Sequence, residues 1–162
     1  MKPISGIEIR YLDPQMNEWD SLHRLIVDAF AYMSARIDPP SSALTLTPQS
    51  IQKIAENHTI LTAKHNLALV GCCFLEIRED QIYIGKLAVE AKYQGNGIAR
   101  RFVHTAQKLA IAKGLQKLTL QVRVELRENH IAFERLGFKK TGTSQHPGFN
   151  HPTSITMTKL IG

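Results

Sequence analysis

The sequence predicts an α/β fold of the α+β type, a three-layer arrangement in which helices cover a mixed, mostly antiparallel sheet. Three observations lead there. Hydrophobic periodicity switches between about two and about 3.6 residues along the chain, in the order β-α-α-β-β-β-α-β-α-β-β. The three middle strands are separated by connections of hairpin length, which makes them sequential and antiparallel. The chain has 162 residues, 43% of them hydrophobic, enough for one core, so residues 1–162 are expected to form a single domain.

The elements follow in turn. Ile7-Glu8-Ile9-Arg10-Tyr11-Leu12 alternates like a half-buried strand, and Asp13-Pro14 ends it. Trp19, Leu22, Ile26, Ala29, Phe30 and Met33 share one helical face, with Asn17 as the expected N-cap. Asp38-Pro39-Pro40-Ser41-Ser42 cannot continue that helix. Thr47-Pro48 then opens a short helix to about Glu56, as an N-cap with proline at the first helical position. Residues 59–64, 67–77 and 81–89 are strand-like runs, separated by His65-Asn66 and by Arg78-Glu79-Asp80. A helix runs from Gly97 to about Lys113, with Ile98, Phe102, Ala106, Leu109 and Ala110 inward and Gly114 as its stop. Leu118, Leu120, Val122 and Val124 alternate in the next strand. Ile131, Ala132 and Leu136 mark a short helix ended by Gly137, and residues 138–143 and 153–160 close the sheet.

Composition narrows the function classes. The longest uncharged apolar runs fall far short of the roughly 20 residues that span a bilayer, so no membrane partner is expected. Met1-Lys2-Pro3-Ile4-Ser5-Gly6 carries no apolar h-region of a secretory signal. The two cysteines, Cys72 and Cys73, are adjacent in a strand and cannot close an unstrained disulfide. A cytoplasmic protein is the expectation. Its formal charge of +6 suits a polyphosphate ligand. The basic residues are too dispersed for a nucleic-acid surface. The oligomeric state stays open, a homodimer included.

The informative segment is Leu87-Ala88-Val89 followed by Gln94-Gly95-Asn96-Gly97-Ile98-Ala99-Arg100. A strand runs into a glycine-bearing turn, and the turn runs into a helix. Several amides there lack an intrahelical partner, and the helix dipole is positive at that end. Gly95 and Gly97 remove Cβ atoms, so a pyrophosphate can approach the main chain. A plain glycine turn is the competing reading. A dinucleotide fingerprint is disfavoured because its sixth position holds Arg100, and the Walker Gly-Lys-Ser/Thr is absent.

These residues resemble the GCN5-related N-acetyltransferase (GNAT) family, whose signature is Gln or Arg, two residues, Gly, one residue, then Gly or Ala. Gln94-Gly95-Asn96-Gly97-Ile98-Ala99 fits it. The segment from Glu128 to Phe138, bearing Asn129, Phe133 and Gly137-Phe138, looks like the family's second block. The resemblance implies a sheet that splays between its fourth and fifth strands and takes acetyl-CoA as co-substrate, without a metal. By that analogy the main chain of Leu87, Ala88 and Val89 pairs with the pantetheine arm. The amides from Gln94 through Gly95, Asn96, Gly97 and Ile98 to Ala99 hold the pyrophosphate, with Arg100 beside it. Asn129 and Phe133 lie near the sulfur end. The implied activity is transfer of an acetyl group to an amine of a small molecule or peptide. The alternative is an acyl-CoA-binding sensor or regulatory module with little transferase activity.

Two positions depart from the family's pattern. The tyrosine that many members use as acid toward the leaving thiolate is Phe133 here, and the glutamate that many use as base on the fourth strand is Tyr83. Alternation places Thr119, Gln121, Arg123 and Glu125 opposite the apolar residues of the fifth strand. Glu125 is therefore expected at the splay as amine anchor or base; a solvated carboxylate paired with Arg123 or Arg127 is the competing reading. Tyr83 is expected as proton donor or substrate contact, or as a half-buried sheet tyrosine. Tyr32, Arg123 and His146 are expected on the acceptor side.

Overall fold

The computed structural model describes residues 4–161; the Met1-Lys2-Pro3 start of the signal argument lies outside them. The elements are β1 (Ile7–Tyr11), α1 (Trp19–Phe30), α2 (Pro48–Ile54), β2 (Thr59–His65), β3 (Ala68–Ile77), β4 (Gln81–Val89), α3 (Ile98–Ala112), β5 (Lys117–Arg123), α4 (Arg127–Arg135), β6 (Lys139–Ser144) and β7 (Ser154–Leu160). Their order is the one that periodicity predicts. The strands form one seven-stranded sheet, β1-β2-β3-β4-β5-β7-β6, antiparallel except where β4 runs parallel to β5.

Two cores make the three layers. On one face Trp19, Leu22 and Ile26 of α1 and Ile51 of α2 pack on Ile60, Cys72, Phe74 and Ala88. On the other, Phe102, Val103, Ala106 and Ala110 of α3 pack on Leu61, Cys73, Leu75, Ile82, Leu118 and Leu120. Adjacent β-strand residues thus serve opposite cores, as Cys72 and Cys73 do. Both thiols are free and buried, and burial pushes Cys72 up to about 12 and Cys73 well above its ordinary value.

The termini of the elements follow from local chemistry. Asn66 and Leu67 both have positive φ, 51° and 70°, as a two-residue type I′ hairpin between β2 and β3 requires. Thr47 caps α2 in a reciprocal box with Ser50. At the end of α3 the Leu115 N–H reaches back to the Ala110 carbonyl at 2.9 Å across Gly114, whose φ is 71°. The end of α4 repeats the device: Phe138 N–H bonds the Phe133 carbonyl at 3.1 Å across Gly137. Asn17 is not the N-cap of α1. It ends a 3-10 turn, Pro14–Met16, in the left-handed conformation (φ 51°) that Asn tolerates, and Glu18 takes the cap position without a side-chain bond.

Candidate active site

The splay has a visible cause. Between Cys72↔Ala88 and Phe74↔Gly85 the β3–β4 register shifts, with one extra residue on β4, and Lys86 in that bulge has a φ of 47°. A bulge bends its strand and increases its twist. The β4–β5 ladder accordingly holds only for Gln81↔Lys117, Ile82↔Leu118 and Tyr83↔Thr119. Beyond Tyr83 the β5-facing edge of residues 84–89 has no strand partner, while β3 still pairs with β4 as far as Val89. At the apex the buried Thr119 hydroxyl has no hydrogen-bond partner.

A cleft of about 2000 Å³ opens from this point, large enough for an extended cofactor and a second substrate. Along one side run Leu87, Ala88 and Val89, then the turn and the start of α3. The first helical bond there runs from Arg101 N–H to the Gly97 carbonyl at 3.0 Å, so the amides of Ile98, Ala99 and Arg100 have no intrahelical acceptor. Gly95 and Gly97 have φ of 82° and 76°, and a Cβ on either would meet no protein atom within 4 Å. A row of open amides beside empty space is what a pyrophosphate needs, and Arg100 lines the same wall. Asn96 does not line the cleft. Its side chain closes the turn instead, donating to the Tyr93 carbonyl at 2.9 Å and accepting from Ile4 N–H at 2.6 Å. The Ile98 side chain is core, so only its amide faces the turn as an open donor.

On the opposite side the segment joining α1 to α2 is tied to β4, β5 and α4. The Asn129 amide donates to the Tyr32 hydroxyl at 3.2 Å, and Arg36 forms an ion pair with Glu128. Arg123 donates to the Pro39 and Pro40 carbonyls at 2.7 and 3.1 Å, and Lys86 Nζ donates to Ser42 Oγ. Arg36 holds the Glu128 carboxyl down at about 2.

Most of the predicted site residues line the cleft: Tyr32, Tyr83, Arg123, Asn129, Phe133 and His146 all do. Burial pushes the Tyr83 phenol up, and the Arg78 guanidinium sits 4.4 Å over its ring. A phenol that keeps its proton both donates and accepts hydrogen bonds. Phe133 stands edge-on to Phe138, ring centroids 5.9 Å apart, across the Gly137 turn. It is thus the apolar contact of a helix stop. The His146 N–H bonds the buried Thr153 hydroxyl at 2.9 Å.

Glu125 lies elsewhere than strand alternation implies. β5 ends at Arg123, because the chain turns there to bury Leu126 ahead of α4. Glu125 sits in that turn and is not part of the cleft lining. Its Oε2 accepts from Asp38 N–H at 3.1 Å, and its Oε1 is buried without a partner. Lys86 and Ser42 are cleft residues that sequence reasoning missed. A lysine inside an otherwise apolar strand, Ile84-Gly85-Lys86-Leu87-Ala88-Val89, was the available signal for the first.

Comparison with known proteins supplies the family. PaiA N-acetyltransferase from Thermoplasma acidophilum, solved with coenzyme A, superimposes with a TM-score of 0.81 at 18% identity, over 95% of this chain and 98% of that one. The ribosomal-protein-S18-alanine N-acetyltransferase of Escherichia coli gives 0.70 at 16% identity, over 96% and 94%. A GNAT family acetyltransferase from Elizabethkingia anophelis with acetyl-CoA bound gives 0.67 at 18%, over 98% and 100%. At these identities the likeness shows the fold. No curated protein sequence matches the chain. Residues 19–138 match the acetyltransferase (GNAT) family, and the chain belongs to it.

Proposed function

We propose that the chain is an acetyl-CoA-dependent N-acetyltransferase, one domain acting on the amine of a small molecule or peptide by direct transfer in a ternary complex. The parting of β4 and β5 just ahead of the glycine turn carries this reading, because one extended ligand can then meet a free strand edge and an anion cradle. Acetyl-CoA, when bound, supplies the activated acetyl group as a thioester. The chain's own residues bind and orient. The edge of Leu87, Ala88 and Val89 pairs with an extended arm, the amides of the turn and of the first turn of α3 hold the pyrophosphate, and Arg100 adds charge. Asn129 and Phe133 border the inner end of that track.

Tyr83 keeps a proton at the acceptor side, as its buried phenol favours. Glu125 acts through the Asp38 amide that it holds, as a positioning residue. The acceptor amine therefore releases its proton to water in the open cleft. Tyr32, Arg123 and His146 border the acceptor. The cytoplasm suits this enzyme, since it keeps thiols such as Cys72 and Cys73 reduced.

The test is thiol release from acetyl-CoA across a panel of amines, with CoA binding measured by calorimetry on the same protein. Release that depends on an amine supports transfer. Tight CoA binding without release for any amine would favour the sensor reading, and no CoA binding would overturn both.

A further inference from the structure

Two cations on the acceptor side of the cleft have no carboxylate partner. Lys86 leaves the β4 bulge and Arg123 ends β5, so they stand on the two strands that part. Both reach the same short stretch, residues 39–42. Their partners there are a hydroxyl and two carbonyls, which satisfy donors but carry no formal charge. Each cation keeps further N–H groups free, and each lines the cleft.

Two other half-buried cations have carboxylate partners: Lys64, with 18% of its side chain exposed, is paired with Glu18, and Lys117 with Asp80 at 3.4 Å. Lys159, half-buried and in no ion pair among the described residues, lies outside this cleft. Among the described residues neither Lys86 nor Arg123 is in an ion pair. Arg123 feels Glu125 and Asp38 at longer range, but Glu125 turns its Oε2 to the Asp38 amide and does not line the cleft. Burial pulls both cations below their ordinary pKa, and the charge of Arg123 pulls Lys86 further. A desolvated cation without a counter-charge is costly, and an arriving anion relieves that cost. The pyrophosphate cradle lies past the other end of residues 84–89, at the turn, and is furnished with its own amides.

We propose that the acceptor is an amine that also carries a carboxylate, an amino acid or close analogue, whose carboxylate docks between Lys86 Nζ and the Arg123 guanidinium. This rests on the acetyltransferase reading above. It adds that the acceptor is held by its acid group, so that Lys86 and Arg123 determine specificity while the amine is left free to react.

The experiment compares each free amino acid with its own carboxamide. Binding to the CoA-saturated protein is read by calorimetry, and kcat/KM is read by thiol release. The acids should bind and react at least about tenfold better than the amides. That ratio should fall close to one in Lys86→Met, which keeps the stem without the charge, and should return in Lys86→Arg. Thermal unfolding checks that both variants fold, and the wild-type ratio decides the matter even if they do not. A wild-type ratio near or below one, no measurable binding of any acid, or a preference that survives Lys86→Met would overturn the proposal. Thiol release with neutral or cationic amines alone would leave the transferase standing and remove the anion site. No release with any amine would remove the transferase, while the calorimetric ratio would still decide the site.

Discussion

Along the wall of the cleft proposed for the cofactor, the strand edge and the glycine turn come from residues 84–100, one unbroken stretch of strand, bulge, glycine turn and helix start, and only Asn129 and Phe133 at its inner end come from elsewhere. On the acceptor wall, residues 32–42 are held by contacts that cross the chain: Lys86 to Ser42 spans 44 positions, Glu125 to Asp38 spans 87, and Asn129 to Tyr32 spans 97. The first wall works through backbone geometry and empty space, the second through long polar side chains. A local backbone device tolerates almost any side chain except where a Cβ would intrude. A wall of distant partners can lose any one and keep its fold. In the proposed reading, cofactor use is carried by a motif, and acceptor choice by a set of pairings that can be replaced singly.

The largest effect should come from breaking the backbone device. Gly97→Val puts a branched side chain where the cradle is open and where φ is 76°. CoA affinity should fall well over tenfold by calorimetry. Strain alone is controlled at the far end of the same helix, because Gly114 also has positive φ (71°) and open space. Each substitution should cost on the order of 1–3 kcal/mol of stability, yet Gly114→Val should keep CoA affinity within about twofold, a tolerance set by additivity at distant sites. Equal losses of affinity in the two variants would remove the cradle assignment.

A smaller effect is expected from loosening the acceptor wall. Glu125→Ala removes the acceptor of the exposed Asp38 N–H, a bond worth typically about 0.5–1.5 kcal/mol. KM for the amine should rise several-fold while kcat and CoA affinity hold. Glu125→Gln keeps an oxygen for that amide and should restore KM. If Glu125→Gln instead lowers kcat/KM by about 10²–10⁴-fold, the scale of a lost general base, the carboxylate titrates in the reaction and the positioning role is wrong.

The same contrast explains what was legible in the sequence. The element order, the hairpins and the glycine turn are local, and hydrophobic period and turn chemistry report them. Asn17 was misread because two local roles compete for one residue type: Asn suits an N-cap and equally suits the left-handed position that ends a 3-10 turn. Glu125 was misplaced because alternation has no signal for where a strand stops, and the burial of Leu126 three residues after Arg123 decides it. Lys86 was visible as a lysine in an apolar strand, but its bulge and its reach to Ser42 belong to tertiary structure.

Phe133→Tyr sharpens the comparison where the walls meet, since Asn129 and Phe133 line the cleft one turn apart on α4. The ring is already fixed against Phe138, so the added hydroxyl should leave CoA affinity within about twofold and raise kcat if a proton donor is missing there. A large loss of activity with affinity intact would mean that the phenyl face packs the acceptor pocket.

The smallest effect belongs to the most exposed tie of the acceptor wall, Arg36 with Glu128. Arg36 holds the Glu128 carboxyl at about 2, against an ordinary value of 4.5. A group depressed on folding contributes stability that is present above its unfolded value and is lost as pH falls through its folded one. The wild type should therefore exceed Glu128→Gln in Tm at neutral pH, and the gap should close as pH is lowered from about 5 toward about 2. Both side chains are open to solvent, so the gap should be small and should shrink with added salt. Because the pair anchors the segment through Arg36, the amine KM of Glu128→Gln should rise less than that of Glu125→Ala. A Tm gap that stays constant across this pH range would show that Glu128 supports the wall by packing rather than by charge.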